Sequence, residues 1–537
     1  MADSRSRLLR SAGSMAFMTA LSRVTGYVRD SIQAVILGAA DSSDAFIIAY
    51  RIPNLLRRLV GEGAMTAAFV PVFTELDSRQ GRAQVFHFAA AFFNALAVLL
   101  AALTAAGVLF APGLVRAMAY GFVGIEGKEA LTVHLTRLMF PYLFFIGLSA
   151  LLMAILNALD SFALPAFTPV LLNLSIIACA LGFARRLEEP ADAFAWGVLI
   201  GGFLQLVVQM PALWRAGMRP WPRLELGNPD VRRVALLMFP GMFGAGIYQI
   251  NLLIDSQFAS FLAPGSVSYL FYANRVTELV LGIFIVSLSQ VILPSLARDV
   301  QRDSGAGVRD TLDFGMRQTV FVTLPACAGL MALSEPIIGV LFERGRFDAA
   351  ATTLTARALV FYAAGLLPVA ALKVILPAFY ARQDTRTPVW VALWTLLLHI
   401  ALNFALIRWI PMGHAGLALS TSLSALFNWG ALAWIHWRRW GPAWGPLSQR
   451  ALLNCTLASL GMAVVCSYAM EWLGFHAKLG LLRALVLGSV IVLGMAIFLV
   501  ILMALRAPEP AELVAAVRRR SGPTHGPLGG DPDRRGA

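Results

Sequence analysis

Runs of about 20 mainly apolar residues recur from one end of the chain to the other, separated by short polar connections. A helix of that length crosses the hydrocarbon core of a bilayer, where only helices and closed barrels satisfy every backbone polar group. The pattern therefore predicts an all-α integral membrane protein. Fourteen transmembrane helices are predicted, at about 14–40, 44–75, 84–114, 130–158, 165–184, 193–214, 231–262, 266–297, 312–334, 353–381, 387–410, 415–437, 450–472 and 480–505.

Composition agrees with a bilayer as the solvent. Of the 537 residues, 58% are hydrophobic and only 14% are charged, whereas a soluble protein has about 45–50% and 25%. The net charge of +13 could indicate a nucleic-acid partner, but the arginines are concentrated at the N-terminus and in every second connection. The positive-inside rule then places both termini in the cytoplasm and leaves no need for nucleic acid. These arginines are Arg5, Arg7, Arg10, Arg79, Arg82, Arg215, Arg219, Arg223, Arg232, Arg233, Arg298, Arg302, Arg309, Arg382, Arg386, Arg438, Arg439 and Arg450.

Two short matches indicate an internal duplication. "AYRIPNLL" (49–56) matches "ANRVTELV" (273–280) at an offset of 224, and "ILNALDSFALPA" (155–166) matches "AFYARQDTRTPV" (378–389) at an offset of 223. Six helices per copy is an even number, so the copies share one orientation, and a pseudo-two-fold axis along the membrane normal is expected.

The duplication predicts two six-helix lobes followed by a pair of C-terminal helices. Beyond that pair the sequence becomes rich in Pro, Gly and Arg, which is typical of a disordered cytoplasmic tail facing lipid headgroups. The predicted domains are an N-terminal lobe at 1–222, a C-terminal lobe at 223–445, the helix pair at 446–506 and the tail at 507–537.

Several arginines lie inside the predicted spans, where an Arg facing lipid costs about 2.5–3.5 kcal/mol. Arg23 and Arg29 lie in the first helix, and their side chains point about 120° apart around its axis, at roughly 100° per residue. Arg275 lies in the eighth helix. Arginines outnumber the carboxylates in the spans, which predicts a wet, positively charged cavity. Because guanidinium groups bind phosphate through two parallel hydrogen bonds, an anionic ligand is expected. Arg58 is instead predicted to extend to the cytoplasmic interface.

Five longer segments occur in a characteristic order: "SRVTGYVRD", "DAFIIAYRIPNLLRRLVGEGAMTAAFVP", "GSVSYLFYANRVTEL", "LFERGRF" and "FYARQDTRTP". Together they resemble the MurJ (MviN) family of lipid II flippases, over about residues 8–505. The resemblance implies the MOP superfamily fold, with two six-helix lobes and two additional helices. It also implies a cargo, lipid II, which is an undecaprenyl diphosphate carrying the peptidoglycan disaccharide-pentapeptide. That cargo would move from the inner to the outer leaflet of the bacterial inner membrane.

The resemblance also implies site residues. Arg23, Arg29 and Arg275 would form a central cluster facing the diphosphate. Asn274 stands where some members carry an acidic residue, and Arg51 stands where many have Lys. The other positions predicted to bind substrate are Asp44, Arg51, Asn54, Arg57, Ser268 and Glu278. Glu62 is added from the charge pattern alone. The alternative interpretation pairs Glu62 with Arg57 or Arg58, and Glu278 with Arg275, as structural contacts.

A cation site is a further expectation from the resemblance, because some relatives bind sodium in the second lobe. The matching region here includes Asp255, Asn403 and Thr421, with His399 on the same helix face as Asn403. No cofactor is expected other than Na⁺ as a coupling ion. Sodium prefers hard oxygen ligands, so the alternative interpretation of this region is a polar contact between helices.

Four functional hypotheses remain open from the sequence. The arginine surplus and the additional helix pair, which could form an apolar groove for a polyprenyl tail, favour a lipid II flippase working by alternating access. The second hypothesis is a cation-coupled small-molecule exporter, or another lipid-linked oligosaccharide exporter, of the same superfamily. A membrane enzyme is disfavoured, because the sequence offers no nucleophile–base motif or metal cluster. A scaffold for cell-wall synthesis or division proteins could coexist with transport.

Overall fold

The computed structural model describes residues 2–60, 64–218, 225, 227–282, 286–302, 305–475 and 480–510. Throughout these residues the chain is helical, with short turns and no β-strand. The predicted all-α fold is therefore confirmed. Glu62, one of the predicted site residues, and the tail from residue 511 lie outside the described part.

The helices of residues 2–218 are α1 Ala2–Leu37, α2 Asp41–Val60, α3 Ala64–Gln80, α4 Arg82–Leu109, α5 Ala111–Ala119, a 3₁₀ turn Tyr120–Phe122, α6 Lys128–Met139, α7 Tyr142–Ala158, α8 Ala163–Phe183, α9 Pro190–Val207 and α10 Met210–Arg215. The later helices are α11 Pro229–Ser260, α12 Ser266–Val280, α13 Val286–Gln301, α14 Gly305–Ala332, α15 Ser334–Phe342, α16 Ala349–Ala364, α17 Leu366–Ala381, α18 Arg386–Arg408, α19 His414–Trp440, α20 Pro446–Trp472 and α21 Gly480–Ala504.

Each of the fourteen predicted segments coincides with one helix or with two consecutive helices. The fourth segment, for example, breaks into α6 and α7 at Pro141, which lacks the backbone N–H that a continuous helix needs. In the described part, eight helical stretches are long and apolar enough to cross a membrane, or nine if α14 and α15 form one broken span. The helices of the first, second, seventh and eighth segments are among those that fall short of this test, because polar residues interrupt them. The structure is consistent with fourteen transmembrane helices, and that number stays a prediction.

The internal repeat is visible in the backbone. Asp160 and Gln383, which the offset of 223 aligns, both have φ of 59° and are two of the few non-glycine residues with positive φ among those described. After each of them, the next residue donates its N–H to the carbonyl five residues earlier, at 2.8 and 3.0 Å. Pro165 and Pro388 are both the third residue of their helices, α8 and α18. The two copies thus end one helix and begin the next with the same local geometry.

The chain forms two compact units. The first comprises Met1–Leu279, Ser334–Gly365 and Arg386–Asn428, and the second comprises Val280–Leu333, Leu366–Thr385 and Trp429–Ala537. The predicted lobes divide the chain differently and stay a prediction. Every predicted site residue in the described part belongs to the first unit.

Within the first unit, connections of the same parity meet one another. Gly121 in the third connection donates its N–H at 3.0 Å to the hydroxyl of Ser260, the last residue of α11 before the seventh connection. On the even side, Arg233 at the start of α11, just after the sixth connection, pairs at 3.0 Å with Glu75 near the end of α3, just before the second connection. These contacts are those expected when odd and even connections lie on opposite faces of a membrane.

Candidate functional site

A cavity of about 100 Å³ lies within the first unit. This volume is smaller than the roughly 300–1,000 Å³ usual for ligand pockets, so a large ligand requires the chamber to widen. Residues from α1, α2, α5, α8, α11 and α12 line it. Its charged lining residues are Arg29, Arg51, Arg58, Arg275 and Glu278.

A single carboxylate joins the two central arginines. Asp30, which is 3% exposed, accepts hydrogen bonds from Nε and Nη2 of Arg29 on Oδ1, at 2.9 and 2.6 Å. Its other oxygen, Oδ2, lies 3.0 Å from Nε of Arg275. Asp30 thereby holds together two guanidinium groups that would otherwise repel each other in a partly buried site.

The two arginines are also oriented by neutral groups. Arg29 donates from Nη1 to Oδ1 of Asn173 at 3.1 Å, and the Asn173 amide in turn donates to Thr25 Oγ1 at 3.2 Å. Tyr27 donates its hydroxyl to the backbone carbonyl of Arg275 at 2.7 Å. Helices α1, α8 and α12 therefore fix the arginine pair before any ligand binds, which reduces the entropy lost on binding.

The remaining walls of the cavity carry more positive charge than negative. Arg275 also pairs with Glu278 at 3.1 Å, and Arg51 donates to Ser256 Oγ at 2.6 Å. The Nε atom of Arg58 is buried in the wall without a hydrogen-bond partner. Four lining arginines against the carboxylates of Glu278 and Asp30 leave two formal positive charges. The cavity is therefore suited to a doubly anionic group.

The duplicated positions occupy this one cavity. Arg51 and Arg275 correspond in the repeat, and both line the cavity, as do Asn54 and Glu278. Arg57 does not line it but donates to Asn54 Oδ1 at 2.9 Å. Each copy of the repeat thus contributes its α2-like helix to the same chamber.

Arg23 does not join the arginine pair. Its side chain is exposed and is not part of the cavity wall. The six residues from Arg23 to Arg29 correspond to about 9 Å along the helix axis and about 120° around it. The predicted three-arginine cluster is thus a pair, Arg29 and Arg275, with Arg23 nearer the start of α1.

Asp44 lies outside the cavity wall and caps another helix. It is 1% exposed, and its Oδ1 accepts from the backbone N and the hydroxyl of Ser268, at 2.9 and 2.7 Å. Its Oδ2 accepts from Gly265 N at 2.8 Å and from Lys128 Nζ at 3.0 Å. Since free N–H groups at a helix start favour a negative charge, Asp44 stabilises α12 from α2.

The same arrangement recurs in the second unit, where no substrate role is predicted. Asp313 of α14 accepts from Gly445 N at 2.6 Å and from the Ser448 hydroxyl at 2.7 Å, at the start of α20. Gly265, just before α12, and Ser268, within it, are three residues apart, as Gly445 and Ser448 are at the start of α20. This parallel indicates a structural role for the contact of Asp44 with Ser268.

Asp44→Asn is expected to lower the free energy of unfolding by about 2–3 kcal/mol, because a neutral amide can replace only part of four charge-assisted hydrogen bonds. Thermal unfolding of the purified protein in detergent measures this. Asp41→Asn is the control, since Asp41 lies on the same helix and also pairs with Lys128, at 2.7 Å, but is 48% exposed. Equal unfolding midpoints for the two variants would contradict the capping role.

The candidate sodium region forms a compact polar cluster. Asp255 Oδ1 lies 2.7 Å from His399 Nε2 and 3.2 Å from Asn403 Nδ2. The other ring nitrogen of His399 lies 3.2 Å from the hydroxyls of Ser420 and Ser424. This donor set fits sodium poorly, because an imidazole already occupies the carboxylate.

Thr421 does not belong to this cluster, since its hydroxyl donates to the backbone carbonyl of Leu417 at 3.0 Å. The buried Oδ1 atom of Asn403 has no hydrogen-bond partner, so it offers one hard oxygen ligand for a cation. Sodium as a coupling ion stays a prediction from the sequence.

Two residues that hold the arginine pair were not among the predicted site residues. Asp30 follows Arg29 directly, so the signal was its position beside a predicted site residue. Asn173 lies in the apolar run of α8, where a buried amide indicates a hydrogen-bonding task. Gln33, Tyr50 and Gln249 also line the cavity, and nothing in their spacing distinguishes them from ordinary helix-contact residues.

Comparisons with known proteins agree on one family. A family model described as lipid II flippase MurJ matches residues 33–499. The probable lipid II flippase MurJ of Vibrio cholerae is 38% identical over 503 residues, covering 85% of this chain and 94% of that protein. The lipid II flippase MurJ of Burkholderia cenocepacia is 38% identical over 481 residues, covering 88% and 92%.

Solved structures give the same answer for the fold. A lipid II flippase MurJ in an inward closed conformation superposes with a TM-score of 0.73 at 26% identity, covering 91% of this chain and 97% of that one. An inward-facing multidrug resistance MATE family transporter of the MOP superfamily superposes with a TM-score of 0.62 at 13% identity, covering 78% and 94%. The second likeness concerns the fold alone.

Proposed function

Because the chain belongs to the lipid II flippase MurJ family, we propose that it moves lipid II from the cytoplasmic to the periplasmic leaflet by alternating access. It is a multi-pass membrane transporter and not an enzyme. The observation that carries the proposal is the pair of arginines, Arg29 and Arg275, joined by Asp30 in the wall of a cavity within the first unit.

The charge of the cavity matches the diphosphate of the cargo. Two uncompensated positive charges face a linker that is doubly anionic, and guanidinium groups can bind its oxygens in parallel pairs. Binding transfers the arginines from Asp30 and Glu278 to phosphate, so the ligand replaces existing partners instead of meeting bare charges. The net binding free energy is therefore the attraction of the arginines to the diphosphate minus their existing attraction to Asp30 and Glu278.

The apolar tail of the cargo needs no polar chamber. We place the diphosphate at the arginine pair, in a chamber that widens to admit the sugars, while the polyprenyl chain stays in lipid or against the C-terminal helix pair. Helices α20 and α21 support this placement with outward apolar side chains, such as Leu457, Leu460 and Val492, which are 49%, 57% and 62% exposed. The meeting of same-parity connections supports two opposite faces, and the arginines of the even connections support a cytoplasmic position for both termini.

A lipid II leaflet-accessibility assay tests the proposal. Cells depleted of their own flippase and complemented with this protein should restore lipid II at the outer leaflet. Arg29→Ala should fail to restore it although the protein inserts normally, because the diphosphate loses one of its two bound guanidiniums.

Arg79→Ala is the matched control, because Arg79 is 73% exposed and pairs with Glu75 outside the cavity. It should restore outer-leaflet lipid II as the parent does. If cells that make the parent protein still show no lipid II in the outer leaflet, the flippase function is rejected. Full activity of Arg29→Ala would reject the arginine pair as the binding group.

A further inference from the structure

One glutamine in the cavity wall has a buried donor without an acceptor. Gln33 of α1 lines the cavity and is 2% exposed, and its Nε2 atom has no hydrogen-bond partner. A buried amide without its hydrogen bonds costs free energy in the folded protein, so most such groups are paired. The wall of the cavity therefore holds a donor that is available to a new acceptor.

A second donor of the same kind lies beside the first. Tyr272 of α12 is fully buried, and its hydroxyl lies next to Gln33 and Ser43 without a hydrogen bond of ordinary geometry. The rings of Phe342 and Phe347 hold the Tyr272 ring in place, with centroid distances of 4.9 and 5.4 Å. Helices α1 and α12 thus present two unused donors in adjacent positions.

Both donors lie one helical turn from the ion pairs of Asp30. Gln33 follows Asp30 by three residues on α1, and Tyr272 precedes Arg275 by three residues on α12. Residues with this spacing are neighbours on one helix face, with about 5–6 Å between their Cβ atoms. Asp30 also interacts electrostatically with the Tyr272 hydroxyl. A rotation of the Asp30 or Gln33 side chain is therefore enough to bring the carboxylate to these donors.

Binding of an anion by the arginine pair deprives Asp30 of its partners. Its two carboxylate oxygens lie 2.6 Å from Nη2 of Arg29 and 3.0 Å from Nε of Arg275. When these arginines turn to a diphosphate, Asp30 stays behind at 3% exposure. A buried carboxylate without a partner is strongly unfavourable. Unless Asp30 gains other donors, this cost is subtracted from the affinity for the anion.

We propose that Gln33 and Tyr272 form a second binding position for the Asp30 carboxylate, which Asp30 occupies while the arginines hold the diphosphate. This inference rests on the proposed function. Before binding, Asp30 accepts from the two arginines; afterwards it accepts from the Gln33 amide and the Tyr272 hydroxyl. The displaced carboxylate and the two unused donors satisfy one another, so the arginines become available at a lower cost. Gln33 and Tyr272 are positioning residues that act on the cargo through Asp30.

Gln33→Leu tests the second position, because leucine is of similar size and has no donor. Without a ligand, the thermal unfolding midpoint of the purified protein in detergent should stay at the parental value or rise, since an unsatisfied buried group is removed. Binding of lipid II and of inorganic diphosphate should each weaken about tenfold, because Asp30 loses its other partner. Tyr272→Phe should show the same two effects.

Gln205→Leu is the matched control, because Gln205 is also a buried glutamine but lies outside the cavity wall. It is 3% exposed, and its Nε2 donates to the backbone carbonyl of Thr168 at 2.9 Å. Its loss should lower the unfolding midpoint and leave the binding of both anions unchanged, as expected for a structural residue. A Gln33→Leu variant that binds lipid II and inorganic diphosphate as the parent does would overturn the proposal.

A double-mutant cycle with Asp30→Asn shows whether Gln33 acts through Asp30. In the Asp30→Asn background no carboxylate is left behind, so Gln33→Leu should no longer weaken binding. An undiminished loss of affinity in that background would overturn the second position. Failure of the proposed function gives a different result, in which the parent binds inorganic diphosphate but not lipid II. The effect of Gln33→Leu on inorganic diphosphate then still decides the role of Gln33.

Discussion

Arg275→Ala is expected to abolish rescue of a flippase-depleted strain and to weaken lipid II binding about 100-fold. The guanidinium of Arg275 is shared by Asp30 and Glu278, at 3.0 and 3.1 Å, and lies 5.2 Å from the ring centroid of Phe271. Truncating a partly buried, hydrogen-bonded charge that faces an anion costs about 2–5 kcal/mol of binding free energy. Growth of the depleted strain and binding of lipid II to the purified protein measure the two effects.

Arg275→Lys separates charge from geometry. A lysine keeps the positive charge but loses the planar fork that reaches two acceptors at once. We expect partial rescue and binding between that of the parent and that of the alanine variant. Arg116→Ala is the control, because Arg116 is 57% exposed and pairs with Glu129 away from the cavity. Normal growth with Arg275→Ala would remove this residue from substrate binding.

Asp30→Asn is expected to destabilise the protein by about 3–5 kcal/mol, because it leaves two arginines without their shared carboxylate. Thermal unfolding in detergent should show a clear fall in the midpoint. Added lipid II should raise that midpoint more in the variant than in the parent. The reason is that the diphosphate supplies the anion that the substitution removed.

Asp77→Asn provides the comparison for this stability effect. Asp77 pairs with Arg82 at 3.3 Å, and its side chain is 29% exposed, against 4% for Asp30. A surface pair of this kind contributes about 0–1 kcal/mol, so little change is expected. A variant of Asp30 that unfolds at the parental midpoint would show that Asp30 does not balance the arginine pair.

The helical framework could be predicted because its physical signal is local. Length and apolar character alone indicate where a chain can cross a bilayer, and the described residues of all fourteen segments are largely helical. The duplication was also predictable, since matched turn residues adopt matched backbone angles, as Asp160 and Gln383 do. Breaks at residues such as Pro141 could have been anticipated from the missing N–H.

The site was predicted only in part, because partners in space are not neighbours in sequence. Arg29 and Arg275 were identified as charges that required a wet environment, but their link through Asp30 depends on how α12 lies against α1. Asp44 was predicted to meet substrate, whereas the structure shows it capping α12. A charge within a span signals that a partner exists, and it does not reveal whether that partner is a ligand or a helix start.

In the proposed alternating-access cycle, the position of Asp30 matters for the step in which the carrier returns without cargo. Once the lipid has left, the guanidinium groups would face a chamber with no anion, and closing it around bare cations would be costly. Asp30 acts as a resident counter-ion that accepts the arginines again at that moment. The same carboxylate competes with the diphosphate while it is bound, which lowers the affinity for the cargo and speeds its release.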